Sequence, residues 1–280
     1  MRQVAIVTDS SANLPTELVR QWNIRVIPIP LIFGRQTFLD GVNITPDEIY
    51  RRLRADKDMP TTAAPSVGDF LRLYAATGQE ASGIVSIHMS PALSSTYNVA
   101  LTASQLIDGI PIRVLNCHSA AIGQGFVALE AARDAVAGAT LEAVVSRANA
   151  VAAKIHLLFT LETFEYLHRG GRIGGAAALV ATLLQIRPVL CLTDGHVEVL
   201  AKTRTRHKAL RSILEQMTAK VNGHPLHAAI FHADAPAEAE AFRQAVATRF
   251  QCTELYVTEF TPVMSTHTGP GVLGVAFYAE

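Results

Sequence analysis

The stretch VAIVTDSSANLPTELVRQW, residues 4–22, opens the chain with the unit that sets its fold. VAIV (4–7) is an apolar run of the kind a buried strand presents. TDSSANLP breaks it, and Asn13 with Pro15 suits the opening of a helix over TELVRQW. The same alternation continues outward. IRVIPIPLIF (24–33) is extended chain because its prolines exclude helix. TPDE (45–48) is a capping box with proline at the first helical position, leading into IYRRLRA. Ser66 with Asp69 opens the helix GDFLRLYAA in the same way. GIVSI (83–87) and IRVL (112–115) are further strand runs, each followed by a turn and an Ala-rich helix. Strand and helix signals in this alternation predict a largely parallel sheet with helices on both faces.

From Thr140 a helix is expected with an apolar stripe at 141, 144, 145, 148, 151, 152 and 155. A domain boundary is placed just beyond it, giving an N-terminal domain over 1–155 and a C-terminal domain over 156–280. The second half reads differently. IHLLFTL is strand-like, and GGAAALVATLL (174–184) is a helix apolar on every face, which must be buried on all sides. RPVLCLTDGHVEVLAK is two strand runs around the hairpin dipeptide Asp194-Gly195. A helix over 205–221, the strand LHAAIF, a helix over 236–249, the strand TELYVTEF and a closing VLGVAFYA complete a mixed α+β layer. The fold class is therefore α/β in two domains.

Composition removes several classes of function. Lys+Arg and Asp+Glu are both 24, so the chain lacks the basic footprint of a nucleic-acid binder. Hydrophobic residues make up 49% but aromatics only 6%, which favours aliphatic packing and suits an aliphatic ligand better than a stacked planar one. Cys117, Cys191 and Cys252 lie far apart and read as buried thiols in a reducing compartment. Neither a secretory leader nor a stretch near the ~20 apolar residues of a membrane span is present, so a cytoplasmic protein is expected. No G-K dipeptide, G-x-S-x-G elbow, H-E-x-x-H or paired Cys/His spacing occurs. His224, His227 and His232 cluster in sequence but fall in and around a predicted strand, where satisfied or solvent-facing rings are the plainer reading.

Polar loops carry what chemistry there is. TDSS (8–11), with Asp9, Ser10 and Ser11, lies where a strand ends and a helix begins, the place where open α/β sheets bind ligands. Helix capping and turn formation by Asp9 and Ser11 is the plainer reading of it. TTAAPS (61–66) is a hydroxyl-rich extended loop. Ser94, Ser95 and Thr96 fall at another strand-to-helix turn, either as caps or as donors to a carboxylate or phosphate. In EYLHRGGRIGG (165–175), Arg172 stands between glycine pairs, and a guanidinium held there forks onto an anion or makes a surface ion pair. KTRTR (202–206) is a companion basic run. THTGPG (266–271) is expected as the last loop. Glycines 269, 271 and 274 match G-x-G-x-x-G, but six residues remain after Gly274, too few for a dinucleotide-binding unit. Hydroxyls, one histidine and arginines without a nucleophile–base pair point to anion recognition.

The order of these motifs resembles the DegV family: AIVTDSSANLP, TTAAPSVGDF, LSSTYNVA, FEYLHRGGRIGG, IRPVLCLTDG, KTRTR and HTGPGVLGVAF, from residue 4 to 278. The resemblance implies a non-enzymatic lipid-binding protein that holds a long-chain fatty acid in a tunnel between two domains. It would present the carboxylate to a separate ATP-dependent fatty acid kinase subunit, with no cofactor or metal of its own. Carried over residue by residue, the carboxylate ligands are Thr62, Ser94 and His267. Asp9, Ser10 and Ser95 are supporting loop positions, and Arg172 and Arg204 lie at the site mouth or face the partner. Departures from the family pattern are Ser95 for a glycine, Ala63 for a serine, His118 for an aspartate and Arg187 for a lysine. Two other readings stay open on the residues alone. One is an acyl-ester hydrolase or transferase with Ser94 as nucleophile and His267 as base; the other is a binding protein for a small anionic metabolite.

Overall fold

The computed structural model describes residues 2–55, 59–177 and 186–280. The chain divides into two compact units, one formed by 1–43 and 62–153 and the other by 44–61 and 154–280.

The first unit begins with β1 (Ala5–Asp9), a 3-10 turn (Ser10–Ala12), α1 (Thr16–Gln21), β2 (Arg25–Ile27), β3 (Pro30–Phe33) and β4 (Gln36–Leu39). The chain then passes into the second unit for α2 (Pro46–Ala55) and returns at β5 (Thr61–Thr62). It continues through α3 (Val67–Gly78), β6 (Ile84–His88), α4 (Thr96–Gln105), β7 (Ile112–Asn116), α5 (Ala121–Val136) and α6 (Leu141–Ala152). The excursion of Ile44–Thr61 departs from the continuous segment 1–155 expected from sequence. An amphipathic helix such as α2 carries a face to bury but no label for the unit that buries it.

Four strands form a sheet in the order β2-β1-β6-β7, and every pairing is parallel. All five residues of β1 and all five of β6 are buried, as parallel strands covered on both faces must be. Phe70 and Tyr74 of α3 and Ala100 and Ala103 of α4 pack with Val7, Ile27 and Ile84. Helices α5 and α6 pack on one another, with α5 also against β1 and β6. The capping box at α3 forms as expected: Ser66 Oγ accepts from Asp69 N at 3.1 Å, and Asp69 Oδ2 accepts from Ser66 N at 2.9 Å. At α2 only half of the expected box forms. Thr45 Oγ1 accepts from Glu48 N at 3.4 Å, while the Glu48 carboxylate turns to Arg51 and Arg52. A second, small sheet runs β4-β3-β5.

The second unit contains β8 (His156–Thr160), α7 (Glu165–Arg169), β9 (Val189–Thr193), β10 (His196–Ala201) and α8 (Arg206–Val221). It ends with β11 (Leu226–His232), α9 (Pro236–Arg249), β12 (Cys252–Glu259), α10 (Pro262–Thr268) and β13 (Leu273–Ala279). Its sheet runs β10-β9-β8-β13-β11-β12; β11 and β12 are parallel and the other pairs antiparallel. Asp194 and Gly195 make the β9–β10 hairpin turn with φ of 49° and 77°, as their pairing predicts. The fold is thus mixed α/β, with one parallel sheet and one mixed sheet. Residues 178–184 of the expected apolar helix lie outside the described residues. No described helix is long and apolar enough to cross a membrane.

The last glycine of the spurious dinucleotide pattern has a packing reason. Gly274 lies in β13 between β8 and β11, and a Cβ there would sit 2.5 Å from Leu158 O, 2.5 Å from Phe231 Cζ and 2.6 Å from Phe159 Cβ. Overpacking of this kind costs about 1–3 kcal/mol. Gly274→Ala should therefore lower the melting temperature of the second unit by about 4 °C or more. An unchanged melting curve would contradict the packing described.

Candidate functional site

In the parallel sheet, β1 pairs with β2 on one side and β6 on the other, so the strand order reverses there. Beyond the carboxyl ends of such strands lies the usual ligand position of an open α/β sheet. The residues that end β1 and β6 are polar. Asp9 is wholly buried and accepts from Ser11 N at 3.1 Å, from Gln124 Nε2 at 3.1 Å and from the Ser11 hydroxyl. His88, also wholly buried, places Nδ1 2.7 Å from Asp9 Oδ2 and Nε2 2.8 Å from Ser86 Oγ. Tyr74 OH donates to Ser86 Oγ at 2.9 Å, and burial raises the phenol well above its ordinary pKa. Cys117 is pushed up to about 12 by burial, with the nearby Asp9 also raising it, so it stays a thiol.

Ser10 is half-buried, and its Oγ accepts from Ile29 N at 3.1 Å, tying the turn after β1 to the chain beyond β2. After β6 the chain turns tightly, with Ser90 O accepting from Leu93 N at 2.9 Å and Ser94 N at 3.2 Å. Half-buried Ser94 sets Oγ 2.9 Å from Thr96 Oγ1 and accepts from Thr96 N at 3.3 Å. Ser95 is exposed and occupies the cap position of α4 without a side-chain capping bond. Thr62 is half-buried in β5, and the following Ala63 N donates to Pro30 O at 3.2 Å. His118 takes a left-handed φ of 52° and donates its N–H to Asn116 Oδ1 at 2.9 Å. Thr62, Ser94, Ser95, Asp9 and Ser10 thus all belong to the first unit.

His267, Arg172 and Arg204 belong to the second. THTGPG is not wholly a loop: residues 266–268 end α10, and Gly269 follows it with φ 72°. Pro262 in the first turn and glycine after the last is the usual helix asymmetry. A Cβ at Gly269 would fall 2.1 Å from Tyr166 Cδ2, and one at Gly170 would fall 2.8 Å from His267 Nδ1. Glycine at these positions lets the end of α10 and the turn after α7 meet face to face. Arg172 folds back so that Nη1 donates to Gly170 O at 2.5 Å. Burial, with the Arg172 charge second, lowers the His267 pKa to about 4.

Arg204 is exposed and has no ion pair among the described residues. In its run it is Arg206 that reaches the last loop, donating from Nη1 to Gly271 O at 2.6 Å and from Nε to Glu238 Oε2 at 2.7 Å. Sequence reasoning missed Arg206, His88, Ser86, Tyr74 and Gln124. Ser86 and His88 left one trace: two polar residues at period two inside a strand run whose both faces must be buried. A cleft of 330 Å³ lined by Asp47, Tyr50, Arg51, Arg54, Ala55 and Asp234 includes none of the expected site residues, and Arg54 and Asp234 are ion-paired there.

A titration follows from the buried imidazoles. His267 and His156 are each lowered to about 4 in the folded chain, against an ordinary value of about 6.5. The unfolded chain therefore takes up protons first as pH falls. The associated stability is fully present above about pH 6.5 and is lost between there and about pH 4, by up to about 1.4 kcal/mol per pH unit for each proton. Between pH 7 and pH 5, His267→Asn should lose about 1–2 kcal/mol less unfolding free energy than the wild type, measured by urea denaturation. Equal losses would show that His267 titrates normally.

The profile of the DegV family, described as uncharacterised proteins, matches residues 3–280. A DegV domain-containing protein of Streptomyces coelicolor, SCO2569, is 36% identical over 276 residues, covering 98% of each chain. Among solved structures, a fatty-acid-binding DegV family protein from Thermus thermophilus superposes with a TM-score of 0.95 at 34% identity and full coverage of both chains. A stearic-acid-binding protein from Eubacterium ventriosum gives a TM-score of 0.90 at 25% identity, covering 99% of this chain and 98% of its own. With the profile spanning nearly every residue, the chain belongs to the DegV family.

Proposed function

We propose that this protein binds a long-chain fatty acid, with Thr62, Ser94 and His267 as the ligands of its carboxylate. The observation that carries this reading is the hydroxyl-bearing turn at Ser94, beyond the point where the parallel sheet reverses its order, in a fold whose Thermus thermophilus relative binds fatty acid. Hydroxyls and a neutral imidazole suit this task. They donate to a carboxylate without the desolvation that a buried lysine would suffer. At neutral pH His267 is uncharged, and Arg172 beside it supplies the positive potential that favours an anion.

The same reading makes the protein a carrier that presents the fatty carboxylate to a separate ATP-dependent kinase. Its sequence lacks a P-loop, so ATP would be bound by the partner. Arg172 and the exposed Arg204 are then suited to meet that partner or the incoming phosphate. Asp9, Ser10 and Ser95 support the headgroup loops. A cytoplasmic location accords with such a partner.

Hydrogen bonds to a charged group contribute about 1.5–3 kcal/mol each. Thr62→Ala and Ser94→Ala should each weaken fatty acid binding about tenfold or more, measured by displacement of a fluorescent fatty acid from delipidated protein. Affinities equal to wild type for both would sink the ligand assignment. With the kinase supplied, His267→Ala should lower acyl-phosphate output more than it lowers the melting temperature; an unchanged rate would remove His267 from the site.

A further inference from the structure

A buried polar chain at the carboxyl end of the parallel sheet runs from Asp9 through His88 to Ser86 and Tyr74. Asp9 Oδ2, a carboxylate oxygen, lies 2.7 Å from His88 Nδ1 and takes the hydrogen which that nitrogen carries. On the other side of the ring, Nε2 lies 2.8 Å from Ser86 Oγ. Ser86 Oγ in turn accepts from Tyr74 OH at 2.9 Å. Phe70 meets the His88 ring edge-on, with centroids 5.3 Å apart, so the imidazole is fixed by contact as well as by bonds. All of these groups are shut off from solvent, and each hydrogen bond leaves the next no freedom to rotate.

The two ends of the imidazole do different things. Its Ser86 side stays within one strand and the helix above it. Its Asp9 side joins the carboxyl end of β6 to the carboxyl end of β1, where Thr8 already faces Ile87 in register. His88 O also accepts from Cys117 N at 3.0 Å, anchoring the end of β7 to the same residue. Two residues on, Ser90 begins the turn that carries Ser94, and its carbonyl and hydroxyl accept from Leu93 N, Ser94 N and Ala92 N at the root of that turn. A shift of His88 moves Ser90, two residues on, and with it the root of the turn that carries Ser94.

We propose that His88, through its bond to Asp9, is the positioning residue that fixes the Ser94 turn for its ligand. The proposal rests on the fatty-acid reading above for the identity of that ligand, though not for the mechanics of the turn. An asparagine amide falls near the position of the imidazole Nδ1 and a glutamine amide near Nε2. His88→Asn thus keeps a donor for Asp9, whereas His88→Gln keeps only the Ser86 side. Both remove ring volume, so both should lower the melting temperature.

Two readouts separate positioning from plain destabilisation, each taken well below the melting transition. In displacement of a fluorescent fatty acid, His88→Asn should bind within about threefold of wild type and His88→Gln at least about tenfold more weakly. In ligand-free protein, amide hydrogen exchange at Leu93 and Ser94 should quicken at least about tenfold in His88→Gln and little in His88→Asn, with β13 amides of the second unit unchanged. Equal behaviour of the two variants in both readouts would overturn the proposal. If the wild type takes up no fatty acid, the ligand reading fails, and the exchange result alone decides the positioning. Should His88→Gln not fold, Asp9→Ala removes the acceptor of the same bond. Faster exchange at Leu93 and Ser94 is then expected, and unaltered exchange would overturn the role.

Discussion

A carboxyl group with no access to water, Asp9, stands at the end of the first strand, and the polar edge of the first unit is arranged to satisfy it. A buried polar group left without partners costs about 1–3 kcal/mol, more if charged. Asp9 therefore draws a backbone N–H, a serine hydroxyl, the Gln124 amide and the His88 imidazole around itself. Gln124 comes from α5 and also donates to Thr8 Oγ1 at 2.9 Å, so one helix and two strands converge on a single side chain. The turns that carry Ser10 and Ser94 leave from the strands so joined. Rigidity at this edge follows from the penalty for leaving Asp9 unsatisfied rather than from the loops themselves.

The second unit solves a different problem with a different group. His267 is held near the end of a short helix and pressed against the backbone at Gly170, where burial and Arg172 keep it neutral across the physiological range. A neutral imidazole can donate one hydrogen bond and accept another without adding charge to its surroundings. Glycine at 170 and 269 is required because Tyr166 and His267 occupy the space a Cβ would take. Arg206, which binds the carbonyl of Gly271, fastens the loop between α10 and β13.

Much of this was legible in the chain, for physical reasons that can be named. β1, β6 and β7 follow from short apolar runs, the α3 start from Ser66 and Asp69, and the β9–β10 hairpin from Asp194-Gly195, because each is decided by residues close in sequence. The hydroxyl-bearing turns were visible as breaks between strand and helix. The end of α10, residues 266–268, is expected as loop from sequence although Pro262 and Gly269 bracket the helix, since a seven-residue helix shows too little periodicity beside a glycine-rich run. The passage of Ile44–Thr61 into the second unit was not legible, because local pattern says which face of α2 is buried and not against what. His88 and Gln124 were hidden for the same reason: their partners lie 79 and about 115 residues away.

The most direct test of the account is mass spectrometry of an organic extract from the purified protein, beside a denatured control for lipid carried nonspecifically. A fatty acid recovered at close to one molecule per chain, and absent from the control, is the predicted result. An extract without fatty acid, from protein that also fails to take up added palmitate or oleate, would contradict it and leave the hydroxyl turns to a smaller anionic metabolite.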